Sequence, residues 1–201
     1  LRPDFLNAYG GDFIPTPNID ALAADGVVFD NAITASTVCA PARMSFFTGR
    51  NVSGHDAWTN DIPPKPGCEV LPERLNAAGY FPVAVGCYDH YPHESDYGYK
   101  YRKIWASNEV NDYKKFLFER HPEETNYYPS EGQYFKYTEE EFYDRWAADC
   151  ACEFIESYSK SGKAPNGAAP ENADAPFFMY CGFLSPHMPL IPPKEVAGTV
   201  D

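Results

Sequence analysis

Two runs, residues 81–85 and 177–183, constrain this chain most, because they are apolar at nearly every position rather than at alternate ones. A strand with one wet face alternates, whereas a strand covered on both faces reads as a continuous apolar run, the situation inside a parallel sheet. Helical stretches precede them. In residues 71–78, Leu71, Leu75 and Ala78 share one face and Gly79 supplies the stop. Further on, Thr138 and Glu141 have capping-box spacing, and Phe142, Trp146, Ala147, Cys150 and Phe154 continue one apolar face for several turns. Residues 16–26 read as a shorter helix with Thr16 as cap, Pro17 at the first position and Gly26 as terminator. Residues 27–29 look strand-like, and 41–48 form a second short helix ending at Gly49. Residues 161–176 are rich in Gly, Ala, Pro and Asn and read as an exposed loop, while 91–137 lack a clear period and read as an irregular insertion. This alternation predicts an α/β fold with a mostly parallel sheet flanked by helices.

The net charge of −13 and the absence of a Lys/Arg run make nucleic acid a poor candidate partner, so none is expected. An anionic ester can be held only where Arg, His or a bound cation reverses the local sign. The six cysteines, at positions 39, 68, 87, 150, 152 and 181, are too sparse for a disulfide scaffold and lack the C-x-x-C spacing of a zinc module. No run approaches the roughly 18 apolar residues of a membrane span. A charged segment followed by an apolar leader is likewise not visible.

Chemistry concentrates in Cys39-Ala40-Pro41-Ala42-Arg43. A cysteine beside a helix start lies where the aligned amides stabilise an anion, and Arg43 adds a fixed cation with several donors. Taken alone, a cysteine there reads first as a small buried apolar residue. A chain of this composition is expected to hold about 0.02 C-x-P-x-R matches by chance, so the motif calls for its flanks to be read with it.

Those flanks carry a resemblance. The segments Thr16-Pro17-Asn18-Ile19-Asp20-Ala21-Leu22-Ala23, Phe29-Asp30-Asn31-Ala32 and Cys39-Ala40-Pro41-Ala42-Arg43-Met44-Ser45-Phe46-Phe47-Thr48-Gly49-Arg50 resemble, in order and spacing, the type I, formylglycine-dependent sulfatases of the alkaline-phosphatase-like superfamily. Leu75-Asn76-Ala77-Ala78-Gly79-Tyr80 with Gly86, and the strand before Ser185-Pro186-His187-Met188-Pro189, are similar to later signatures of that family. Leu1-Arg2-Pro3 resembles the iduronate-2-sulfatase branch. The resemblance implies that residues 1–201 are the N-terminal part of a catalytic domain. It further implies that Cys39 is oxidised to formylglycine, hydrated to a diol and set beside a calcium ion as one of its ligands, with Arg43 holding the diol. The other calcium ligands would be two aspartates before Leu1 and a later Asp-Asn or Asp-His pair. His90 then becomes a catalytic acid or base, and His187, in the Pro-His-x-Pro loop, a substrate-binding group, imidazole being a side chain suited to proton transfer. The implied partners are a sulfated carbohydrate substrate and a formylglycine-generating maturation enzyme, in an extracytoplasmic setting.

One position departs from the family pattern. After Gly86 the family has Lys, and this chain has Cys87, whose neutral thiol cannot supply an ammonium. Two other readings stay open: a phosphonate monoester or phosphodiester hydrolase on the same fold, since relatives resembling this family use the same C-x-P-x-R nucleophile, and a non-catalytic sulfatase-like binding protein, to which the departure at Cys87 points. Cys87, Asp89, His90 and His93 can also be read as metal ligands, although a closed site usually needs a second half elsewhere. The sequon Asn51-Val52-Ser53 reads as chance, and Glu139-Glu140-Glu141 as a solvated helix start.

Overall fold

Nine residues of helix, α1 (Pro17–Asp25), open the regular structure in a computed structural model that describes residues 2–88, 95–105, 111–126 and 128–196. Helices α2 (Cys39–Thr48), α3 (Val52–His55) and α4 (Leu71–Ala77) follow and lead into strand β1 (Phe81–Cys87), which is buried at every position. Strand β1 is central. It pairs in parallel with β2 (Tyr101–Trp105) on one side, Val83 facing Tyr101 and Cys87 facing Trp105. After helix α5 (Asp112–Arg120), a short antiparallel ribbon of β3 (Ser130–Glu131) and β4 (Tyr134–Phe135), and helix α6 (Tyr143–Ser161), the chain returns as β5 (Phe177–Gly182) on the other side of β1. The sheet order is β2-β1-β5.

The two faces of β1 explain its continuous apolar run. Phe81, Val83 and Val85 pack with Trp146, Ala147, Cys150 and Phe154 of α6, whereas Ala84 packs with Met44 and Phe47 of α2 and with Val70, Tyr88, Tyr97 and Tyr99. Successive side chains point to opposite faces, and here both faces are covered. Burying Phe154 completely is worth about 1.5–3 kcal/mol. Glycine is required at 86: its φ is +82°, and a Cβ there would overlap the Gly182 carbonyl oxygen and lie 2.9 Å from Ala147 Cβ.

Two expectations change. Residues 27–29 form no strand; Val27 and Phe29 are 79% and 69% exposed, because no described strand lies alongside to pair with their backbone. The stretch 91–137 is not simply irregular, since it holds β2, α5 and the β3–β4 ribbon. Strand β2 was hidden because only Tyr101 and Trp105 are buried, with Arg102, Lys103 and Ile104 partly wet, so no apolar run marks it. Helix α5 is capped by Asn111, whose side chain accepts the Lys114 N–H at 2.8 Å, and Asp112 accepts the Ile104 N–H at 2.9 Å, tying the helix to β2. The capping box of Thr138 and Glu141 closes a 3-10 turn, Glu139–Glu141, and α6 begins beyond it at Tyr143. Among the described residues no helix is long and apolar enough to cross a membrane.

Candidate active site

Helix α2 begins at Cys39, two residues before the predicted start, so Pro41 falls within the first turn, where no amide donor is needed. Its N-cap, Val38, has no side chain able to accept a hydrogen bond. Asn60 takes that part from a distant loop: its Oδ1 accepts the Ala40 N–H at 3.1 Å and the Cys39 thiol at 3.3 Å. Cys39 is thereby partly exposed and held at the amino end of a helix.

Arg43 stands one turn further on, on the face shared with Cys39. Its guanidinium donates to the Tyr180 hydroxyl and lies 3.9 Å from Cys87 Sγ, and Tyr180 donates in turn to the Cys87 carbonyl at 3.2 Å. Phe47, a turn beyond Arg43, meets the Tyr180 ring edge-on at 5.4 Å. These contacts fix the cation near the carboxyl ends of β1 and β5, the edge of a parallel sheet where α/β folds place ligands.

His187 follows β5 by five residues and is exposed. Its Nδ1 lies 2.6 Å from the Met188 carbonyl oxygen, which can only accept, so Nδ1 carries the proton and Nε2 is left to take one up or pass one on. That bond stays inside the loop, which follows in sequence the strand β5 that carries Tyr180. His90 lies outside the described residues, as do Asp89 and His93.

The family model described as Sulfatase matches residues 1–200. The chain belongs to the sulfatase family. It is 27% identical to the uncharacterized sulfatase YidJ of Escherichia coli, over 96% of this chain and 37% of that protein, and 27% identical to iduronate 2-sulfatase of Mus musculus, over 97% of this chain and 35% of that protein. Among solved structures, the phosphonate monoester hydrolase of Agrobacterium radiobacter superposes with a TM-score of 0.73 at 27% identity, covering 96% of this chain and 40% of that one. The chain thus spans well under half the length of these relatives.

Sulfatases generally use formylglycine and a divalent cation. Here, no group of three or more His, Cys, Asp and Glu side chains among the described residues converges to hold a metal. Cys39 is accompanied by one neutral amide oxygen, from Asn60, whereas calcium takes about six to eight oxygens. The described residues therefore do not by themselves make a calcium site.

Sequence reasoning missed Asn60, Tyr180 and the pair Ser45–His55. Ser45 Oγ lies 2.8 Å from Nε2 of His55, whose Nδ1 accepts the Ala57 N–H at 3.1 Å, so Nε2 donates to the serine. Both side chains are buried, and burial lowers the His55 pKa below 6.5, with Asp56 opposing and Lys65 adding to the shift. The pair bolts α2 to α3. Tyr180 lies in a strand that reads as core, and Asn60 in a polar loop, so neither carried a motif. All six cysteines are free, and burial pushes the Cys150 thiol up to about 12, which marks it as a packing residue.

Proposed function

We propose that the full protein hydrolyses sulfate esters of a sugar or polysaccharide, with Cys39 as the residue converted to formylglycine. The observation that carries this reading is the placement of Cys39 at the amino end of α2, with Arg43 one turn away and anchored at the sheet's carboxyl edge by Tyr180 and Cys87. Formylglycine would supply the nucleophilic oxygen. The chain's own residues do the rest. Arg43, one helical turn from residue 39, offers guanidinium donors suited to sulfate oxygens, and its charge offsets negative charge on the anion. Asn60 offers a hydrogen-bond acceptor to whatever group residue 39 carries. His187 can move a proton at Nε2, with Nδ1 held by Met188, and the resemblance gives His90 a second acid–base role. The mouse and human iduronate 2-sulfatases among the relatives favour a sulfated carbohydrate. Calcium ligands from outside the described residues, a formylglycine-generating partner and an extracytoplasmic location complete the proposal.

The test is mass analysis of the Cys39 peptide from the full-length protein made in its native host, with sulfate release measured in parallel. Conversion of Cys39, and loss of release in Cys39→Ala, are expected. An unmodified thiol throughout, with no release, overturns the reading.

A second reading, a phosphonate monoester or phosphodiester hydrolase, is favoured by one specific observation: Cys87, which carries no positive charge, sits beside Arg43 where the family pattern has Lys. The likeness to the phosphonate monoester hydrolase supports it. Turnover of para-nitrophenyl sulfate, a para-nitrophenyl phosphonate and a para-nitrophenyl phosphodiester separates the two. Cys87→Lys is expected to raise the sulfate-to-phosphonate ratio of kcat/KM, and an unchanged ratio removes Cys87 from substrate choice.

A further inference from the structure

Asp144 lies in the first turn of α6, where an aspartate ordinarily serves its own helix. Here it reaches outward instead. Oδ1 accepts the Leu184 N–H at 2.6 Å, and Oδ2 accepts the Ser185 N–H at 3.2 Å, while the N-cap of α6, Phe142, makes no side-chain capping bond. Two successive amides at the exit of β5 are thus gripped by one carboxylate, a charge-assisted contact stronger than a neutral one. Leu184 is fixed in three ways at once: its N–H is held by Asp144, its side chain is buried in the core against α6, and its carbonyl accepts the His187 N–H at 2.9 Å. His187 in turn donates Nδ1–H to Met188.

We propose that Asp144 is the positioning residue of the His187 loop, setting through Leu184 and Ser185 where the imidazole stands. The proposal rests on the reading of His187 as a substrate-side proton-transfer group. Asp144 touches no reacting atom. Its effect is on placement, and a displacement of about 1 Å in a catalytic group can cost about 100-fold in rate.

The experiment compares full-length wild type, Asp144→Ala, Asp144→Asn, His187→Ala and the Asp144→Ala/His187→Ala double variant on whichever para-nitrophenyl ester is turned over, together with amide hydrogen exchange at Leu184 and Ser185. Asp144→Ala is expected to lower kcat by about 10- to 100-fold, with a smaller change in KM, and to speed exchange at both amides. Asp144→Asn, which keeps one acceptor oxygen and the side-chain volume, loses less and carries the comparison if the alanine variant does not fold. In the His187→Ala background, Asp144→Ala adds no further loss, because it acts through the missing group. Losses that multiply, or unchanged exchange at Leu184 and Ser185, overturn the proposal while leaving the site reading intact. A wild-type rate in His187→Ala overturns the reading of His187 itself, and the positioning role with it.

Discussion

His55 gives a test at the residue scale whose sign follows from burial. Its folded pKa lies below 6.5, so as pH falls the unfolded chain takes up the proton first. The contribution of neutral His55 is therefore complete above about pH 6.5 and is lost as pH falls toward the lowered folded value. Replacing His55 by Leu removes the partner of Ser45 and of the Ala57 amide and is expected to cost about 1–3 kcal/mol at neutral pH. Thermal melts of the full protein should show the gap between wild type and His55→Leu narrowing below about pH 6.5. A gap independent of pH would mean that the imidazole titrates normally in the fold. Cys39 and Arg43 were legible because their relation is local: one helical turn separates them, and a short motif records it. Asn60, 21 positions beyond Cys39, and Tyr180, 137 beyond Arg43, were not, because a contact between distant positions leaves no mark on the spacing.

At the scale of elements, the junction of β1, β5 and α6 depends on backbones that approach too closely for side chains. Gly86→Ala forces a Cβ into the Gly182 carbonyl at a positive φ, so a cost of at least about 1–3 kcal/mol is expected, with Cys87 and the Arg43 anchor displaced as well. Circular dichroism melts and turnover of the full protein check this, and a variant as stable as wild type would require the strand to bend differently. The elements best read from sequence were those whose burial is uniform or strictly periodic. β1 is covered on both faces, and α6 buries Trp146, Ala147, Cys150 and Phe154 along one. Strand β2 escaped notice because Arg102 and Lys103 interrupt it, and 27–29 misled because apolar, β-branched residues carry strand propensity whether or not a neighbour exists.

At the scale of the whole molecule, the described surface is unusually apolar around the first helices. Leu22, Val27, Phe29, Ile33 and Phe46 are each more than two-thirds exposed, and the chain spans only 35% to 40% of the relatives named above. Expressed by itself, the 201-residue chain is expected to self-associate and bind a hydrophobic dye, and the full-length protein to protect residues 27–33 from hydrogen exchange. A monomeric, cooperatively melting 201-residue chain would count against this. The amino-acid sequence by itself determined the α/β class, the helix carrying Cys39 and Arg43 and the long amphipathic helix, because periodicity, caps and short motifs act within a few residues along the chain. Only the tertiary structure decided that Asn60 holds Cys39, that Tyr180 and Cys87 anchor Arg43, and that Asp144 grips the loop of His187. The sheet and the helix packed on it bring Arg43 to Tyr180 and Asp144 to Leu184, and a loop ahead of the sheet brings Asn60 to Cys39; in each case hydrogen bonding fixes the partner by distance in space rather than by separation in sequence.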